Sequence, residues 1–128
     1  MKLAEKIFWW LAEKRGMEIL RNPITGEDYM FRVYLTNPKV VKGLSGSYGQ
    51  GKLCLNLIKN SDFEWEHRHT WDYFTLILSG GYTEHIYGKA YRRKPGWFTY
   101  RYHYQPHRLE VDSESPAVTL FFKTDMKV

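Results

Sequence analysis

The chain has 128 residues, a formal net charge of +5 and 17% aromatic residues, among them ten tyrosines. That length suits a single domain able to bury roughly two thirds of its unfolded surface, and the aromatic content excludes a polar disordered chain. A single cysteine excludes an internal disulfide, and no apolar run approaches the roughly eighteen residues that a transmembrane helix needs.

Residues 2–15 predict an amphipathic helix, with Leu3, Ile7, Trp10 and Leu11 at helical spacing among Lys2, Glu5, Lys6, Glu13 and Lys14. Gly16 is its expected stop. The apolar part, 7–12, is short and enclosed by charges, which argues against a signal peptide, so the chain is expected in the cytoplasm. Phe8, Trp9 and Trp10 call for a partner surface, either a sheet or a second copy in a homodimer, rather than a membrane. Residues 1–20 are accordingly set apart as a helical segment and 21–128 as the β domain.

From Tyr29 the chain turns to strands. Segments 29–35, 53–58, 67–78, 82–87, 90–93, 97–102, 108–111 and 117–123 carry the pattern, with Cys54 a buried, inert thiol in the second. Gly43–Gly51 reads as a loop or wide hairpin, and Gly80-Gly81, Gly88 and Pro95-Gly96 as breaks. Short strands at this spacing predict an all-β sandwich or barrel. The basic residues are scattered, and Arg92-Arg93-Lys94 reads as a solvated hairpin loop, so nucleic acid is not an expected partner. A small anionic molecule suits the positive balance better.

There are five histidines, His67, His69, His85, His103 and His107, of which His85 is expected on a barrel wall or the surface. His67 and His69 are two apart at the start of a strand, so both imidazoles share one face and can meet at one spot. Neutral imidazole is the commonest metal ligand and suits Fe, Zn or Ni. A third ligand must come from another strand.

Around these residues the sequence resembles the cupin superfamily. Its first motif is a glycine, five residues, H-x-H, three or four residues, a glutamate, six residues and a glycine; here Ser61, His67, His69, Tyr73 and Gly80 occupy those places. In its second motif Gly96 and His107 match, while Tyr102, Tyr104 and Val111 replace the proline, glycine and asparagine. The segments HRHTWDYFTLILSGGYTEH, PGWFTYRYHYQPHRLEV and VTLFF are similar to small bacterial and phage cupins. The resemblance implies a double-stranded β-helix, a jelly-roll barrel preceded by the short N-terminal helix. It also implies one divalent metal ion, Fe, Zn or Ni, on His67, His69 and His107. Tyr73 in place of the glutamate leaves three neutral ligands and open positions, an arrangement that resembles the iron sites of thiol dioxygenases in the same superfamily. An Fe(II) oxygenase acting on a small anionic metabolite is one expectation. A barrel that binds a metabolite or nucleotide without changing it is another, and a metal-free isomerase using His and Tyr as acid and base is a third.

Tyr73 shares strand parity with the histidine pair and should face the interior. Arg101 is the candidate to orient the acid group of a substrate, since a guanidinium grips a carboxylate through two hydrogen bonds. By alternation it opposes Tyr100 and Tyr102, so one of those sets lines the pocket. Tyr73, Tyr82, Tyr100, Tyr102, Trp71 and Phe98 are candidate lining residues. Asp72 falls on the face opposite the histidines and is expected to be solvated. Glu64 and Glu66 are expected at the strand mouth, and Arg108 is expected to point away from His107. His103 stands at a position that is not a ligand in cupins. Glu84 could rejoin the site, but its parity is open.

Overall fold

The computed structural model describes residues 1–22, 24–36, 52–60, 71–112 and 114–126. Helix α1 (Leu3–Arg15) is followed by β1 (Glu18–Arg21), β2 (Asp28–Tyr34), β3 (Lys52–Ile58), β4 (Trp71–Ser79), β5 (Tyr82–Ile86), β6 (Lys89–Arg93), β7 (Phe98–Arg101), β8 (Arg108–Glu110) and β9 (Ala117–Met126). The strands form a six-stranded sheet, in the order β1-β2-β3-β9-β4-β7, and a three-stranded sheet, in the order β6-β5-β8. Every pairing is antiparallel. This is the all-β jelly roll with a short N-terminal helix that the sequence predicts. Strand β1 has no counterpart among the predicted elements, so the segment after the helix already belongs to the sheet. The region 43–51, the beginning of the predicted strand 67–78, and residues Glu64, Glu66, His67 and His69 lie outside the described residues.

Both faces of the large sheet are covered. On one face Val33, Leu55, Leu57 and Val118 pack with Phe8 of α1, flanked by Ala4, Leu11 and Ala12. Phe8 is wholly buried, whereas Leu3, Ile7 and Trp10 are exposed. The helix therefore turns a different stripe inward from the expected one: small alanines one turn either side of Phe8 let the backbone approach the sheet. Gly16 ends the helix as expected, at φ 84°, and its N–H reaches Ala12 O.

The other face looks across to the small sheet. Ile58, Ile77 and Ala117 meet Tyr82, Leu109 and Val111 there and close one end of the interior. Gly80, at φ 77°, makes the turn between the sheets, and a Cβ there would overlap the Pro116 carbonyl oxygen.

Candidate functional site

The site grows from register. Tyr73 on β4 pairs with Arg101 on β7 and with Lys123 on β9, so these three side chains stand side by side on the inner face. Tyr73 and Lys123 are buried. That register settles which set on β7 faces inward: Arg101 does, while Phe98, Tyr100 and Tyr102 point outward and are exposed. Tyr73 and Tyr82 are the tyrosines of the expected lining that are buried, and the side chain of Trp71 lies outside the described residues.

Across the barrel, β5 presents Glu84, which is 2% exposed. Its Oε1 accepts from Arg101 Nη2 at 2.9 Å and from Arg93 Nε at 3.1 Å. Its Oε2 lies 2.9 Å from His107 Nδ1. The Tyr73 hydroxyl lies 3.2 Å from His107 Nδ1 and 3.3 Å from Nε2, and the Tyr73 ring stacks on Phe121 at 5.4 Å. With Nδ1–H given to the carboxylate, the hydroxyl donates to Nε2. Trp97 lies beneath the guanidinium of Arg93 at 4.2 Å and near that of Arg101 at 6.0 Å. Burial alone would raise the Glu84 pKa. Hydrogen bonds from His107 and Arg101, with the positive charge of the guanidinium, outweigh it and hold the carboxyl at about 2. The buried cluster is thus an ionised carboxylate clamped by cations, with an imidazole and a phenol in line on its other oxygen.

Several sequence expectations change here. Arg93, read as part of a solvated loop, instead folds over Trp97 onto Glu84. Arg101 is held by that carboxylate, and its Nε is buried with no hydrogen-bond partner among the described residues. Asp72 does lie opposite Tyr73, yet it is 9% exposed rather than solvated. The turn after β7 folds over it, and it accepts from the His103 backbone N–H at 2.8 Å, from His103 Nδ1 at 3.0 Å and from the Tyr100 hydroxyl at 3.3 Å. His103 is thereby tied to the outer side of β4, away from His107. His85 pairs with Glu110 at 3.1 Å, and Arg108 sits across from His85 in the register, on the face opposite Glu84. Lys123 was not anticipated; a lysine in an alternating strand reads as solvent-facing.

The same architecture occurs in solved structures. A cupin protein from Bacteroides fragilis aligns at TM-score 0.50 with 14% identity, over 71% of this chain and 86% of that one. The polyketide cyclase RemF from Streptomyces resistomycificus aligns at 0.60 with 18% identity, over 84% and 71%. KdgF from Halomonas sp. aligns at 0.59 with 13% identity, over 87% and 89%. The fold is that of the cupins. No family model matches the chain, and no curated protein matches it. Identities this low speak for the cupin fold and not for an activity.

Among the described residues, no three His, Cys, Asp or Glu side chains group closely enough to hold a metal ion. Of the three histidines expected to do so, His107 is placed and His67 and His69 lie outside the described residues. The donor chemistry at His107 fits a metal. A carboxylate on Nδ1 fixes the tautomer and makes Nε2 the acceptor, whose lone pair an ion would take in place of the hydrogen bond from the Tyr73 hydroxyl. Glu84 itself does not fit as a ligand in this barrel, because both of its oxygens are already taken by cationic or imidazole donors.

Proposed function

We propose that this cupin binds a small anionic molecule in its barrel beside a divalent metal ion held by His67, His69 and His107. The observation that carries the reading is the buried 2.9 Å contact between His107 Nδ1 and Glu84 Oε2, the partner arrangement that orients metal-binding imidazoles. A bound ion supplies Lewis-acid polarisation or, if it is iron, oxygen chemistry at positions that three neutral ligands leave open. The chain's own residues do the rest. Glu84 fixes the His107 tautomer, and Arg93 and Arg101 keep Glu84 ionised. Arg101 and Lys123 bring positive charge to the inner face, which favours an anionic guest. Tyr73 offers a hydroxyl between the imidazole and the barrel interior.

The test is calorimetric titration of untagged protein with Zn(II), Ni(II) and anaerobic Fe(II). Loss of a carboxylate behind a ligating imidazole costs roughly 10- to 100-fold in metal affinity. Glu84→Gln should weaken binding by that factor and His107→Ala should abolish tight binding. Equal affinity in the wild type and both variants would overturn the proposal.

A second reading is favoured by the same cluster. Tyr73, His107 and Glu84 form a hydrogen-bonded chain able to move a proton, which suits metal-free acid–base chemistry; the neighbour RemF is a cyclase by name. Turnover undiminished by chelation, with no bound metal, would select this second reading.

A further inference from the structure

The inner wall carries a polar row that the cluster around Glu84 does not use. Register pairs Arg32 with Asn56 and Asn56 with Thr119, across β2, β3 and β9. Neighbouring residues on the same strands, Val33, Leu57 and Val118, face the helix, so this row faces the barrel interior. The three residues are 4%, 2% and 1% exposed.

Their partners are incomplete. Arg32 Nε donates to Asn56 Oδ1 at 2.8 Å, a neutral acceptor. The ring of Phe121 lies 5.2 Å from the guanidinium and the Met30 sulfur 3.7 Å from Nη2. Among the described residues, the carboxylate paired with Arg32 is Glu18, 3.9 Å from Nη1, beyond hydrogen-bond reach and 39% exposed. The Thr119 hydroxyl, in the same row, has no hydrogen-bond partner among the described residues. The guanidinium also shares a hydrogen bond with Tyr34, but its carboxylate stands only at ion-pair distance, and a loosely compensated buried guanidinium and a buried hydroxyl without a partner among the described residues are each costly. One acid group would satisfy both, with oxygens accepting from Arg32 and from Thr119.

We propose that Arg32, Asn56 and Thr119 form an acid-group subsite inside the barrel, so that the ligand is a small dicarboxylate with one end bound here. This rests on the reading above that the barrel takes an anionic molecule, with Arg101 and Lys123 receiving the other end. Lys123 is four residues from Thr119 along β9, on the order of 13 Å of backbone. The side chains close much of that gap. Lys123 Nζ lies 5.9 Å from the Tyr34 ring, and Arg32 lies over Phe121, so both head groups lean toward the row between them. A chain of four to six carbons matches such a span.

The test titrates the full chain with succinate, glutarate and adipate, and with the monoacid butyrate, by calorimetry. A second charge-assisted contact is worth about tenfold, so at least one dicarboxylate should bind about tenfold more tightly than butyrate. Thr119→Val and Arg32→Lys should each erase most of that preference. Thr119→Val should also raise the melting temperature of the ligand-free protein, because it removes an unpaired hydroxyl; a hydroxyl with a purely structural role would lower it. Variants with undiminished preference, or a lowered melting temperature for Thr119→Val, would overturn the subsite. Equal binding of butyrate and the dicarboxylates to wild type would overturn the subsite alone. No binding of any acid would overturn the anionic-ligand reading with it.

Discussion

Replacing Glu84 with glutamine keeps the shape of the side chain and removes the charge that three groups share. The carboxylate is 2% exposed and contacts Arg93, Arg101 and His107. Breaking a buried ion pair from one side costs roughly 3–5 kcal/mol, because the partner's charge is left uncompensated. The lowered pKa of Glu84 implies a similar magnitude. A carboxyl that ordinarily titrates at 4.5 and is held at about 2 in the fold contributes on the order of 3 kcal/mol at neutral pH. For a chain of this size that corresponds to a fall of roughly 10 °C in melting temperature. The folded value lies below the unfolded one, so the stabilisation is fully present above pH 4.5 and is lost as pH falls toward 2. Urea unfolding of wild type and Glu84→Gln at a series of pH values checks both parts. The gap between the two proteins should be widest above pH 4.5 and should narrow steadily below it. A variant within about 1 kcal/mol of wild type at pH 7, or a gap that does not change with pH, would show that the Glu84 charge does not hold the cluster together.

Three other substitutions follow from the packing. Phe8→Ala empties a wholly buried site between helix and sheet and should cost about 3–5 kcal/mol in urea unfolding. Gly80→Ala places a Cβ against the Pro116 carbonyl at a left-handed φ of 77° and should cost about 2 kcal/mol or more, read as a lowered thermal midpoint. Tyr73→Phe keeps the stack on Phe121 and loses the hydroxyl contact with His107; its stability cost should be about 1 kcal/mol, while metal affinity, measured by titration, should hold or rise as the hydroxyl no longer competes for Nε2.

Much of the fold was legible because strand alternation and turn residues recur at short spacing. The predicted strand 29–35 forms at Asp28–Tyr34, and 53–58 forms at Lys52–Ile58. Alternation along the strand puts Tyr73 on the inner face, where it is found. Alternation does not carry across a change of chain direction between sheets. Glu84 follows the Gly80-Gly81 break, so its face depends on how β5 crosses to the smaller sheet, and no local pattern fixes that. Arg101 and Tyr100 were a choice between two faces that only the pairing with β4 resolves. Arg32 and Lys123 were invisible for a different reason: a charged residue in an alternating strand reads as solvent-facing, whereas this barrel turns both inward. Asp72 is buried because its cover comes from the turn after β7, 31 residues away in sequence and beyond any periodicity.

X-ray absorption on untagged, Zn(II)-loaded protein counts the imidazoles on the ion. A stoichiometric ion with three histidine nitrogens at about 2.0–2.1 Å is expected, with a lost or altered set of ligands in His107→Ala. A Zn(II) shell without imidazoles, or one unchanged in His107→Ala, would contradict a metal ion held by His67, His69 and His107.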